Sequence, residues 1–133
     1  MELINTLDEQ ELRVTVLSGV SLLQVRIRAE IEHGKPLLET RESAFVPSEV
    51  LEGHELLYRV RRAPDVEPGD LLIVEPRSTA ETGELVLATR GKNVYLAHWW
   101  AKHGREELCE HPHKSLTGKF QILGAVNLIV RPQ

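Results

Sequence analysis

The stretch that most constrains the fold is residues 55–76, which read ELLYRVRRAPDVEPGDLLIVEP. Its two apolar runs, residues 56–60 and 71–74, are rich in the leucine, isoleucine, valine and tyrosine side chains typical of strands. The connection between them ends in Pro68-Gly69, a pair that favours a turn. We therefore predict two strands joined through a charged connection, which contains no serine, threonine or cysteine.

Residues 12–16 and 25–31 alternate apolar with polar side chains. A period of two indicates strands with one solvent-facing side. A helix over residues 12–24 is the alternative, although Gly19 and several β-branched residues disfavour it. Thr6 to Glu9 has the spacing of a helix capping box, so residues 1–24 are predicted to form an N-terminal extension packed as strand or short helix.

Turn signals punctuate the rest of the chain, at His33-Gly34-Lys35-Pro36 and at Arg90-Gly91-Lys92-Asn93. Further strands are predicted where apolar runs resume: residues 85–88, 94–100, 105–109 and 120–130. Residues 110–118 are predicted to be a polar loop. Many short strands separated by turns indicate a mostly-β domain with little helix, closed or partly closed like a barrel, over residues 25–133.

Composition limits the classes of function. The net charge of −4 gives the chain no overall positive field, so direct binding of DNA is not expected. A lone Cys109 excludes an intramolecular disulfide and fits a reducing compartment. The polar start MELINTLDEQE is neither a signal peptide nor a membrane span. These features predict a cytoplasmic protein without a membrane partner.

Four blocks of sequence, taken in order, resemble the peptidase domain shared by LexA, UmuD and phage repressors. They are VRIRAEIEHGKPLLE, ELLYRV with EPGDLLIVEP, GELVLATRGKNVYLAHW, and FQILGAVNLIVRP. In that family they would hold the self-cleavage site, the strand and loop of the nucleophile, the hairpin of the catalytic lysine, and the terminal strand. The resemblance implies a LexA/signal peptidase-like β-barrel and β-clip fold.

The family's chemistry is serine-lysine proteolysis, in which a desolvated neutral lysine takes the proton of a serine that attacks a peptide carbonyl. The resemblance places the serine near Arg62 and Ala63, in a loop shorter than the family's, and the lysine at Ala97. The cleavage site would lie at His33-Gly34, where the family has alanine before glycine. Because all three positions depart from the pattern, the resemblance implies a member that is not an enzyme.

Substitutes for the missing serine and lysine lie elsewhere in the chain. Ser43, Ser48, Ser78, Lys92 and Lys102 fall on loops or flank the return strand. His98 follows Ala97 directly, so alternation points it to the opposite face of the strand. A replacement dyad is not expected, and the alternative is an active hydrolase with another nucleophile or a metal.

Three further groups of residues have a functional interpretation beside a structural one. Cys109, His111 and His113 are metal-ligand types, with His98 or His103 as additional donors, but their spacing is not that of a zinc finger, so neither metal nor cofactor is expected. Arg61 and Arg62 are either solvated strand charges or part of a partner surface. Of adjacent Trp99 and Trp100, one faces away from the core and suits a dimer or partner surface.

These observations predict a regulatory, dimerisation or protein-binding module in transcriptional or stress-response control. The resemblance implies a homodimer formed through the C-terminal strands, or pairing with a LexA-like or DNA-binding protein. Residues 1–24 are too few for the family's helix-turn-helix domain, so operator recognition by this chain alone is not expected. A ligand-binding or nucleic-acid-binding barrel is a third interpretation.

Overall fold

The computed structural model describes residues 2–5, 13–16, 21–102, 104–110, 114–116 and 118–132. Strands make up 63% of it and helix 3%, so the prediction of a mostly-β chain is confirmed. The one helical element is a 3-10 turn at Ser48–Val50. In the described part of the chain, no helix has the length and apolar character needed to cross a membrane.

Twelve strands form one sheet. They are β1 (Glu2–Asn5), β2 (Arg13–Val16), β3 (Leu22–Glu32), β4 (Lys35–Pro36), β5 (Ser43–Pro47), β6 (Leu56–Arg62), β7 (Leu71–Pro76), β8 (Leu85–Arg90), β9 (Asn93–Lys102), β10 (Arg105–Glu110), β11 (Lys114–Leu116) and β12 (Gln121–Arg131).

The strand order is β11-β10-β9-β8-β12-β7-β6-β3-β5. The sheet is therefore open between β11 and β5, so of the two predicted alternatives, closed or partly closed, full closure is not the one observed. Partial closure comes from β4, which follows β3 and pairs with β9 across the sheet. β3 and β6 are parallel, so the segment between them must cross from one end of the sheet to the other.

The first strands extend this sheet. β1 pairs antiparallel with β12 on one side and with β2 on the other. The strand alternative for the N-terminal extension is thus confirmed over Glu2–Asn5 and Arg13–Val16, whereas the capping-box sequence at residues 6–9 lies outside the described residues. The predicted polar loop at residues 110–118 is wrong in part, because Lys114–Leu116 folds back on β10 as a strand, placing Leu116 opposite Leu108.

Three clusters of buried side chains make up the core. The first includes Val60, Leu72, Leu87 and Leu96. The second, between β3, β5, β6 and β7, includes Ile27, Val46, Leu57 and Ile73. The third includes Val86, Ala97, Trp99 and Leu108. The first and third lie on opposite faces of β8 and β9, since neighbouring residues such as Leu96 and Ala97 fall in different clusters.

Candidate functional site

The predicted nucleophile loop connects β6 to β7. Residues 67–70 form a turn in which Asp70 N donates to Glu67 O at 3.0 Å and Gly69 has a φ of 92°. Proline followed by a glycine of positive φ is the pattern of a type II turn. Before this turn, Ala63 and Val66 pack against the first cluster. The short loop therefore folds down onto the sheet.

Ala97, the position of the predicted lysine, lies in the middle of β9. Its side chain is buried in the third cluster with Val86 and Trp99. Ala63 packs on the first cluster, so these two side chains belong to opposite faces of the sheet. His98 stands in register with Leu85 of the first cluster and with Cys109 of β10. The prediction that His98 and Ala97 face opposite sides is confirmed.

A shallow pocket nevertheless brings the loop and β9 together. Its lining comes from the loop, from β8 and β9, and from the end of β10: Pro64, Asp65, Val66, Leu85, Leu96, Ala97, His98, Cys109 and Glu110. Asp65 has a φ of 64°, which is uncommon for a residue with a side chain. None of these lining residues is a serine, threonine or lysine.

The cleavage-site-like turn, His33-Gly34, is fastened beside this pocket. His33 N donates to Arg62 O at 2.8 Å, at the start of the nucleophile-like loop. Gly34 N donates to Val94 O of β9 at 2.7 Å. The turn therefore bridges β6 and β9. The nucleophile-like loop and this turn lie beside the part of β9 that carries Ala97, although the Ala97 side chain is buried on the opposite face of the sheet.

The His33 side chain holds the turn with two further hydrogen bonds. Its Nδ1 accepts from the Leu96 N–H at 3.0 Å, which requires that nitrogen to be unprotonated. Nε2 then carries the proton and donates to Glu110 Oε1 at 2.6 Å. This bond lowers the pKa of Glu110 against the opposing effect of burial, and Lys114 Nζ at 3.6 Å adds to the lowering. The arrangement fixes the orientation of the imidazole against the Glu110 carboxylate.

Aromatic contacts also hold the His33 ring in place. Its ring meets Tyr95 edge-on, with centroids 5.2 Å apart, and Tyr95 meets Phe120 in the same way at 5.4 Å. Arg90 donates to the Tyr95 hydroxyl at 2.8 Å and lies over the Phe120 ring. Edge-to-face packing and cation–π contact both stabilise such a group. The imidazole is thereby held as a structural element of the turn.

We expect the Glu110 carboxylate to contribute to stability in a pH-dependent way. Because folding lowers its pKa, the contribution is present above the unfolded value and is lost as the pH falls through the folded one. Glu110→Gln keeps an acceptor for His33 but removes the charge. It should lower the free energy of unfolding by about 1 kcal/mol at pH 7, and the difference from wild type should shrink below about pH 4.

Urea unfolding of both proteins between pH 3 and pH 8 measures this difference. Glu39→Gln is the control, since Glu39 is exposed and has the same charge. A gap between wild type and Glu110→Gln that stays constant down to pH 3 would contradict the coupling.

One buried charge lies beside the loop. Asp70 is 1% exposed and receives hydrogen bonds from Arg131 Nε at 2.9 Å and Nη2 at 3.0 Å. It also accepts from Glu67 N at 2.9 Å. The Gly-Asp pair thus closes the turn and ties it to the last residue of β12. The sequence places Asp70 directly after the predicted Pro68-Gly69 turn, but nothing in it indicates that Asp70 binds Arg131, 61 residues away.

The other predicted surface residues are distributed differently. Arg61 and Arg62 are exposed at the end of β6. Neighbouring Arg59 is occupied by ion pairs with Glu30 and Glu42, so the arginines of β6 do not form a continuous basic strip. As predicted, Trp99 and Trp100 differ in burial: Trp99 is 9% exposed in the core, and Trp100 is only half-buried.

Of the predicted metal ligands, the described residues bring together Cys109 and His98, which are in register on β10 and β9. His103, His111 and His113 lie outside the described residues, and the Cys109 sulfur is 3.8 Å from the Ser115 hydroxyl. Glu52, His54 and Glu55 do cluster at the surface. There the Glu55 carboxylate accepts the N–H groups of residues 52–54, and these bonds lower its pKa although burial acts against them. The cluster is explained by its turn.

Comparison with known proteins adds no family. No protein-family model matches the chain, and no curated protein matches it significantly.

Proposed function

We propose that this chain is a catalytically inactive LexA-like domain that acts as a regulatory, dimerisation or protein-binding module. The observation that carries the proposal is that the nucleophile-like loop and the His33-Gly34 turn both lie beside the part of β9 that carries Ala97. These segments are far apart in sequence, and the resemblance alone assigned them to a common site. Their proximity supports a LexA-like arrangement.

The chemistry of that corner supports the loss of peptidase activity. Residue 97 is a buried alanine, the loop has no hydroxyl or thiol, and the pocket lining among the described residues has no lysine to act as base. In addition, the N–H groups of His33 and Gly34 both donate to neighbouring strands. The turn is therefore bound as part of the sheet, where it closes the gap between β6 and β9.

A module of this kind works through its surfaces. We place it in the cytoplasm, in transcriptional or stress-response control, paired with itself or with a LexA-like or DNA-binding protein. The net charge of −4 and the ion pairs of Arg59 favour a protein partner over nucleic acid.

One observation favours the alternative of an active hydrolase. Cys109 lines the pocket and stands in register with His98, another lining residue. A thiol beside an imidazole is a nucleophile-and-base combination used in acyl transfer. Against it, the Sγ contact in the described residues is with Ser115 rather than with a base.

Incubation of the purified chain from pH 7 to pH 10 tests the proposal. We expect its intact mass to remain unchanged, because no residue at the vacated positions can attack the His33–Gly34 peptide bond. A self-cleaving member of the LexA family, treated in parallel, is the positive control. A specific cut at His33–Gly34 would overturn the proposal, and loss of that cut in Cys109→Ser would establish the hydrolase instead.

A further inference from the structure

β11 and β5, the strands at the two ends of the main strand order, differ in length and charge. β11 has only three residues and begins with Lys114, whose side chain is 76% exposed. Short length and an exposed lysine are the usual protection against edge pairing. β5, at the other end, reads SAFVP and has no charge. None of the other described strands pairs with its outer edge.

Exposed apolar side chains collect beside β5. Among the residues whose burial the structure describes, the exposed large hydrophobic ones all lie on the start of β3, on β5 or on the segment leading into β5: Leu22, Leu23, Leu37, Leu38 and Phe45. Phe45 is the most exposed of them, at 56%. Apolar patches of this kind mark interaction surfaces.

The backbone of β5 shows which groups remain for a further strand. Ile27 N donates to Glu42 O at 2.9 Å, and Ser48 N donates to Ser21 O at 2.9 Å. Backbone hydrogen bonding alternates along an antiparallel pair of strands. The backbone groups of residues 42, 44, 46 and 48 therefore bond to β3, whereas those of Ser43, Phe45 and Pro47 point away from β3. Proline has no N–H, so within β5 Ser43 and Phe45 supply the outward donors.

We propose that β5 pairs antiparallel with β5 of a second copy about a two-fold axis at Phe45. Each Phe45 N–H then donates to the carbonyl of Phe45 in the other copy, and each Ser43 N–H donates to the carbonyl of Pro47. Both outward donors of β5 are used, and the missing donor of Pro47 falls at the end of the ladder. The two Phe45 side chains face each other across the axis.

Charge supports a second copy as the occupant. Arg41 precedes β5 and Glu49 follows it in the 3-10 turn Ser48–Val50, and both residues are exposed. Antiparallel pairing about the two-fold axis brings the Arg41 end of each copy beside the Glu49 end of the other. The self-complementary pattern of Arg41, Phe45 and Glu49 is what a two-fold interface requires.

The position of β12 also directs pairing to β5. The sequence resemblance implied a dimer through the C-terminal strands. In this sheet, β12 is bordered by β7 along one edge and by β8 and β1 along the other. Its backbone is thus already paired, whereas β5 ends the sheet. The inferred interface does not depend on the loss of peptidase chemistry.

Site-directed disulfide formation tests the register. In a Cys109→Ser background, Phe45→Cys places the introduced thiols opposite each other, with Cα atoms about 5.5 Å apart, within the range a disulfide spans. Ser43→Cys is the matched control, because its two copies would be about 13 Å apart along the strands. We expect mild oxidation to crosslink Phe45→Cys efficiently and Ser43→Cys at least tenfold more slowly.

Charge exchange tests the interface in the otherwise native chain. By sedimentation equilibrium, wild type should be a dimer. Arg41→Glu or Glu49→Arg should each raise the dissociation constant about tenfold, because two like-charge contacts replace two opposite ones. The double variant should restore wild-type affinity. Thr79→Lys, on an exposed loop, controls for an added charge.

A monomer at every concentration, equal crosslinking of Phe45→Cys and Ser43→Cys, or failure of the double variant to recover would each overturn the interface. These outcomes are separate from the cleavage assay. A chain that remains intact but monomeric would retain the proposed loss of catalysis while losing this interface.

Discussion

Replacing Gly124 with alanine is expected to destabilise the protein by about 3 kcal/mol. Gly124 lies in β12, between β7 and β8, where the sheet leaves no room for a side chain. A Cβ atom there would be 2.6 Å from Val74 Cγ1, 3.1 Å from the Glu75 carbonyl carbon and closer still to the Glu75 oxygen. Backbone atoms of a central strand cannot move aside as the end of a flexible side chain does.

Urea unfolding checks this expectation. With a slope of roughly 2 kcal/mol per molar urea, the midpoint should fall by about 1.5 M. Ala125→Gly is the control, because Ala125 is buried in the same strand and loses a methyl group instead of gaining one. A midpoint for Gly124→Ala within 0.3 M (roughly 0.6 kcal/mol) of wild type would show that β12 can shift to admit the methyl group.

Replacing Asp70 with alanine should be about as damaging, at roughly 3 kcal/mol. The carboxylate is buried and accepts hydrogen bonds from Arg131 and from Glu67 N, so its removal leaves these donors without their acceptor. Arg131 is 24% exposed and also contacts Glu67 at 3.3 Å, which limits the loss. The turn and the end of β12 should loosen together.

Glu67→Ala provides a matched control for Asp70→Ala. Glu67 contacts the same guanidinium, but its side chain is 66% exposed. Exposed ion pairs contribute little, so we expect a change below about 0.5 kcal/mol. Similar unfolding midpoints for the two variants would contradict the view that the buried carboxylate holds the turn.

Local sequence patterns predicted the strands well, for physical reasons. The alternation at residues 25–31 and the apolar runs at residues 56–60 and 71–74 fall within strands, because period two with branched side chains suits a half-buried sheet. The turns at Pro68-Gly69 and Gly91-Lys92 follow from glycine at positive φ. Strand order was not predictable in the same way. Nothing local indicates that β3 and β6 run parallel or that the sheet remains open.

In the candidate site, too, local segments were predicted from the sequence but contacts between distant residues were not. Sequence resemblance picked out residues 33–34, 61–66 and 97. The first two segments lie beside the same part of β9, but the Ala97 side chain is on the other face of the sheet from the loop. The resemblance did not indicate that His33 binds Glu110, 77 residues away, nor that Asp70 pairs with Arg131. Such contacts join side chains whose separation in sequence carries no signal, because tertiary packing alone brings them together. The sequence did contain a pattern that indicates the surface around β5. Leu37, Leu38 and Phe45 are apolar residues in a segment that also holds five polar or charged ones, residues 39–43.

The central place of β12 has a consequence for biosynthesis. Translation delivers residues 121–131 after the other described strands, yet they separate β7 from β8 and also pair with β1. While the chain is still on the ribosome, the halves of the sheet have no strand to join them, and the apolar edges of β7 and β8 stay unpaired. The sheet can therefore be completed only after these residues leave the exit tunnel, and until then the open edges of β7 and β8 favour aggregation.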